Sequence, residues 1–228
     1  MRTRAIREGL DRYDPLLLSL DDQLARLREY NRNYWDSRLT DEQLAVVDVS
    51  GDITQRVDDL TTFHVQFGSL EETGEMLWRV YVGEQGGHGH WTWPERQFDG
   101  KHLLGLLGSN VRQYEPGIHR VRINLVAHWE PEGGRTLEEV REGAKGTDEI
   151  LAQLEVLSAY GLHSELFREQ DGKNLPYSDM PGTDVLVPGF TRSYALSVCS
   201  SSSDHRARMH AAWVTHCSNW WAAPVLLE

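Results

Sequence analysis

The chain of 228 residues has only two cysteines, Cys199 and Cys217. Two thiols cannot build a disulfide framework or a four-thiolate zinc site. A turn over residues 200–204 would set Cys199 opposite a residue near Ala207, with Cys217 about ten residues further on, so free, buried thiols are expected. Long apolar runs are also missing. The run from Pro15 to Leu20 falls well short of the roughly 20 residues that span a bilayer. Residues 1–10 carry three arginines with no apolar core behind them, so no secretory signal is expected and the cytoplasm is the expected location. Basic charge is scarce: 23 Lys and Arg against 35 Asp and Glu leave a net charge of −12. No run of basic residues exists to neutralise phosphates, which argues against nucleic acid and against an anionic membrane surface as partners. There is no P-loop, no G-x-G-x-x-G and no His-Glu-x-x-His. The serines at 200–203 lack the glycine-flanked elbow of a hydrolase.

What is present is an ordinary globular composition, 39% hydrophobic and 25% charged, with enough chain to bury a core. Leu17, Leu20, Leu24 and Leu27 recur at three and four, which predicts an amphipathic helix over residues 15–31 with Asp14 as N-cap and Pro15 at its first position. Thr40 and Gln43 form a capping box for a short second helix. From residue 44 to 128 the pattern is two-residue alternation. Phe63, Val65 and Phe67 mark one strand, Met76, Trp78, Val80 and Val82 a second, and His119, Val121, Ile123 and Leu125 a third. Thr136 and Glu139 open a helical segment over 136–162, split at Gly143 and Gly146, with Gly161 as a C-cap. Residues 130–172 hold eleven acids against four bases, which reads as a solvated helix face with loops. Residues 171–192 read as loop, and strands return over 193–199 and 207–216. The predicted class is α+β. An N-terminal helical segment, 1–43, precedes a single β-rich domain, 44–228, whose sheet or barrel core carries the 136–162 helical insertion.

Ten histidines is a high count, and His88-Gly89-His90 stands apart in a Gly-rich stretch trailed by Trp91, Trp93 and Glu95. Two residues at i and i+2 of an extended chain point the same way, so both imidazoles can reach one cation. Glu95 can add a carboxylate oxygen, and His119 follows Pro116-Gly117 at the start of a later strand. Such a nitrogen and oxygen set suits a divalent Fe, Mn, Ni, Cu or Zn ion and leaves positions free for substrate or water. Gly83, His88, His90, Glu95 and Gly100 resemble the first motif of the cupins, with two of its spacings shortened. Gly108, Pro116, Gly117, His119 and Asn124 resemble the second in compressed form. Residues 76–124 carry the resemblance. It implies a β-barrel or sandwich core with metal ligands His88, His90, Glu95 and His119, and oxygenase, isomerase or epimerase chemistry. Trp91, Trp93 and His64 would line the substrate pocket.

The remaining histidines are weaker candidates. His210 and His216 share a face of one predicted strand with Ala212 and Val214, and read as core or surface side chains. Eight tryptophans exceed expectation. Trp78 and Trp213 read as core, while Trp220 and Trp221 cannot both face one side of a strand. Two readings follow. One is a metal-dependent enzyme acting on a small organic molecule. The other is a non-catalytic interaction or assembly protein that docks through its acidic helical face, its N-terminal helix and its terminal aromatics. A homodimer is compatible with both.

Overall fold

The computed structural model describes residues 9–51, 53, 55–90, 103–105, 110–185, 194–201 and 206–228, with the backbone alone at 88–90 and 103–105. After a 3₁₀-helix, Asp11–Leu16, the elements are α1 (Leu20–Asn33), α2 (Asp41–Ala45), β1 (Leu60–Gln66), α3 (Leu70–Gln85), β2 (His88–His90), β3 (Leu103–Gly105) and β4 (Gly117–Asn124). They continue with α4 (Leu137–Ala144), β5 (Ile150–Leu151), α5 (Glu155–Leu162), α6 (Ser164–Arg168), β6 (Tyr177–Met180), β7 (Thr183–Val185), β8 (Tyr194–Ser200), β9 (Ala207–Trp213), β10 (Trp221–Ala222) and β11 (Val225–Leu227). The α+β class holds. The strands form a four-stranded sheet ordered β1-β4-β11-β5, a five-stranded sheet ordered β10-β6-β8-β9-β2, and the pair β3-β7. Among the described residues they close no barrel. No helix among them is long and apolar enough to cross a membrane.

The first helix starts later than its leucine spacing suggests. Ser19 is the N-cap, accepting from the Asp22 N–H, and Pro15 lies in the preceding 3₁₀-helix. Asp14 instead accepts the Val57 N–H at 3.2 Å, tying this segment to the strand region. Leu20, Leu24, Leu27 and Tyr30 then bury one helical face. The larger correction is at residues 76–82, which form part of α3 and not a strand. Thr73, Met76, Leu77, Val80 and Tyr81 are all buried, a 3.6-residue stripe that the period-two reading cut in half. Ser69 caps the start through the Glu72 N–H, and Gly86 at φ 58° ends the helix in the left-handed conformation.

Both predicted capping boxes form, at Thr40/Gln43 and Thr136/Glu139. The 136–162 segment is two helices, α4 and α5, parted by β5, and Gly161 lies inside α5. Residues 177–185, read as loop, supply β6 and β7. α5 runs along β1 and against α3, while α6 packs on β8. One continuous core joins α1, α3, α5, β1 and the inner face of the five-stranded sheet, so the N-terminal helix is built into the same core as the strands. Both cysteines are free, as expected, but only Cys199 is buried. Trp78 is core, whereas Trp213, the last residue of β9, is 42% exposed.

Candidate functional site

β8 and β9 are the hairpin that the alternation around residues 193–216 foreshadows, paired antiparallel with Ser197 opposite His210 and Cys199 opposite Arg208. β6 adds on one side, setting Asp179 opposite Ser197. β2 adds on the other in parallel, setting His90 opposite His210 and His88 opposite Arg208. Register neighbours in a pleated sheet belong to the same face. Asp179, Ser197, His210 and His90 therefore occupy one row across four strands, and Cys199, Arg208 and His88 lie on the next. The alternate positions Met180, Leu196, Val198, Ala207 and Met209 are buried in the main core. One face of this sheet is apolar and closed, and the other collects titratable groups.

Within the row the Ser197 hydroxyl donates to Asp179 Oδ1. Burial pushes the Asp179 carboxyl up to about 7, against the opposing pull of that hydrogen bond and of the Arg141 guanidinium. Arg141, from α4, is committed elsewhere. Its Nε donates to the Pro181 carbonyl at 2.9 Å and its Nη1 to Asp184 Oδ1 at 3.1 Å. The Trp221 ring stands edge-on to His210 with centroids 5.1 Å apart, and Tyr177 packs on Trp221 at 5.2 Å. Asp179, Ala212, Trp221 and Val140 border a cavity of about 20 Å³, with His128 and His216 also on its walls. That volume holds about one water molecule. Burial also raises the Cys199 thiol to about 12, so it stays protonated and unreactive at neutral pH.

The four-stranded sheet contains a second pair of histidines. His64 on β1 lies opposite His119 on β4. Tyr114 sits between the two rings, 4.8 Å from each centroid. His64 Nε2 contacts Gln66 Oε1 at 3.2 Å and Nδ1 contacts Ser158 Oγ at 2.9 Å. Since the amide oxygen can only accept, Nε2 carries the proton and the serine donates to Nδ1. Burial holds this imidazole down at about 3, so it is neutral. His119 Nε2 donates to the Glu115 carbonyl at 2.7 Å. The buried Glu155, at the first turn of α5, accepts the Gln153 N–H at 2.5 Å, and burial raises its pKa.

The structure thus separates the residues that the motif grouped. His88 and His90 lie on the five-stranded sheet, beside Arg208 and His210. His119 lies on the four-stranded sheet with His64. Glu95, Trp91 and Trp93 fall outside the described residues. Among the described side chains, no three or more His, Cys, Asp or Glu groups converge as a metal centre would require. Asp179, Ser197 and Arg208 had no motif to announce them, and His210 was visible only as a half-buried strand histidine. For Ser197, Arg208 and His210 the signal was alternation within β8 and β9, while Asp179 fell in a segment read as loop. That alternation becomes informative only with the cross-strand register, which a single sequence does not display. The chain matches no protein-family model, no curated protein and no solved structure.

Proposed function

We propose that this chain is a metal-dependent enzyme acting on a small organic molecule, of the oxygenase or isomerase type that its cupin-like His-x-His motif implies, with His88, His90 and His210 as the cation's ligands. The observation that carries this reading is the register of β2 on β9. It places His210 as the direct neighbour of His90, so an i, i+2 pair and a cross-strand histidine share one patch. Three imidazole nitrogens with positions left open form a donor set that a catalytic divalent cation accepts. His119 is left out of this set because it lies on β4, in the other sheet. A bound cation would supply Lewis-acid or O₂-binding chemistry.

The chain's own groups do the remaining work. Asp179, raised to about 7, can hold or release a proton at its carboxyl at neutral pH. Ser197 fixes that carboxyl through its hydroxyl. Trp221 and Tyr177 wall the site on the β10 side and orient the His210 ring.

Elemental analysis of purified protein is expected to find close to one equivalent of divalent metal. His90→Ala and His210→Ala should abolish it, and His119→Ala should retain it. A metal-free wild type that cannot be loaded with Co(II) or Zn(II), or metal unchanged in His90→Ala, overturns the reading. The exposed Trp213 and Trp220, 42% and 51% accessible, favour the second reading, a non-catalytic interaction protein. A metal-free chain found only in a larger complex by light scattering would support it.

A further inference from the structure

Arg208 is exposed although β9 is an interior strand, flanked by β8 and β2. It makes no ion pair or hydrogen bond among the described residues. The arginines of β4 behave differently: Arg120 and Arg122 hold Asp48 and Asp59 at 3.5 and 2.9 Å. Among the described residues, a chain with a surplus of twelve acids has thus left this mid-sheet guanidinium without a partner. That guanidinium belongs to the same face as His210, two residues along β9, roughly 7 Å by the strand rise. Its planar fork suits a carboxylate, which it binds through two parallel hydrogen bonds. Asp179 cannot serve as that partner. It is two strands away and is held by Ser197.

We infer that the site takes a small 2-oxo or 2-hydroxy monocarboxylate, its carboxylate gripped by Arg208 and its neighbouring oxygen turned toward the His210 row. The single negative charge follows from the other end of the patch, where the Asp179 carboxyl would repel a second one. The inference rests on the metalloenzyme reading for its catalytic meaning and on Arg208 for its own ground.

The test uses the full chain, metal-free after chelation and again after Co(II) loading. Each form is titrated with pyruvate and with its neutral amide, pyruvamide, following tryptophan fluorescence and calorimetry. Pyruvate is expected to bind about tenfold or more tightly than the amide, as a charge-assisted bidentate contact requires. Arg208→Gln should remove that preference and Arg208→Lys should keep part of it, with both variants as stable as wild type because the side chain is exposed. Equal binding of acid and amide, unchanged binding in Arg208→Gln, or no saturable binding of pyruvate to wild type overturns the inference. Co(II) uptake with Arg208-independent pyruvate binding overturns it and leaves the metal reading standing. Arg208-dependent pyruvate binding in a chain that takes up no Co(II) overturns the metal reading and leaves the carboxylate site.

Discussion

Two sheets of this molecule each set one histidine opposite another, and they treat the pair in opposite ways. On the four-stranded sheet, His64 has both ring nitrogens matched to neutral partners, and Tyr114 fills the space between it and His119. On the five-stranded sheet, the row through His210 and His90 contains a carboxyl raised to about 7, and the next row holds the Arg208 guanidinium, which has no partner among the described residues. Cross-strand histidines alone therefore distinguish nothing. What differs is saturation. A buried imidazole whose donor and acceptor are both used is a packing element. A face that keeps a buried, uncomfortable acid stores the kind of energetic cost that functional sites carry.

The largest expected effect tests the saturated side. His64 and His163 are both held near 3 by burial, against 6.5 in the unfolded chain. His163, at the end of α5, is buried too but only half satisfied: its Nδ1 accepts the Leu18 N–H at 3.0 Å, which pins the N-terminal segment, and its Nε2 has no aligned partner. A histidine whose folded pKa is depressed gives the unfolded state more bound protons at low pH. Its stability contribution is complete above pH 6.5 and is lost as pH falls from there toward 3. Between pH 7 and pH 4 each ring should cost roughly 3 kcal/mol as an upper figure. Urea unfolding at the two pH values measures the sum, and His64→Asn should remove about half of the loss. A chain equally stable at pH 4 and pH 7 would place these rings in water and end the contrast between the sheets.

On the five-stranded sheet the sign reverses. Asp179 has a raised folded pKa, so its favourable contribution is present below the unfolded value of 3.8 and is lost as pH rises through about 7. Asp179→Asn keeps a hydrogen-bonding group for Ser197 and removes the buried charge. It should therefore stabilise the protein, by about 3 kcal/mol more at pH 8 than at pH 5. In the same measurements His64→Asn should destabilise at pH 7. Stabilisation by loss of an acid marks a group kept for something other than folding. If Asp179→Asn destabilises equally at both pH values, the carboxylate is an ordinary paired one, and the two sheets are alike.

How much of this was legible before the coordinates depended on the range of each interaction. The capping boxes at Thr40 and Thr136 are local and form as read. The alternation around Phe63 and Ile123 gives β1 and β4. Residues 76–82 misled because every even position is apolar, including Val82, which the helix leaves exposed, while Arg79 breaks the odd set. Trp78, outside the main stripe, is buried. The His-x-His pair was visible and does lie on a strand, but the strand that pairs with it is more than a hundred residues away in sequence. No local pattern tells His210 from His119 as its companion, because that choice is made by the sheet order. Arg208 was illegible for a related reason. An arginine's lack of a partner is a property of everything folded around it.

The smallest expected effect refines the idea of saturation itself. Tyr114 fills the gap between His64 and His119, yet its hydroxyl is buried with no aligned hydrogen-bond partner, although Glu155 and Arg112 lie close by. Its ring does the packing and its oxygen adds desolvation cost. Removing an unsatisfied polar atom while keeping the shape is close to neutral or favourable. Tyr114→Phe should therefore change stability by less than about 0.5 kcal/mol at pH 7. Tyr160 provides the control, since its hydroxyl accepts from Ser178 Oγ at 3.1 Å inside the core. Tyr160→Phe leaves that serine without its acceptor and should cost about 1 kcal/mol. If the Tyr114 variant costs as much as the Tyr160 variant, the Tyr114 hydroxyl makes a real bond to Glu155 or Arg112. The four-stranded sheet would then contain a coupled polar network of its own, and the division between a packing face and a chemical face would have to be redrawn.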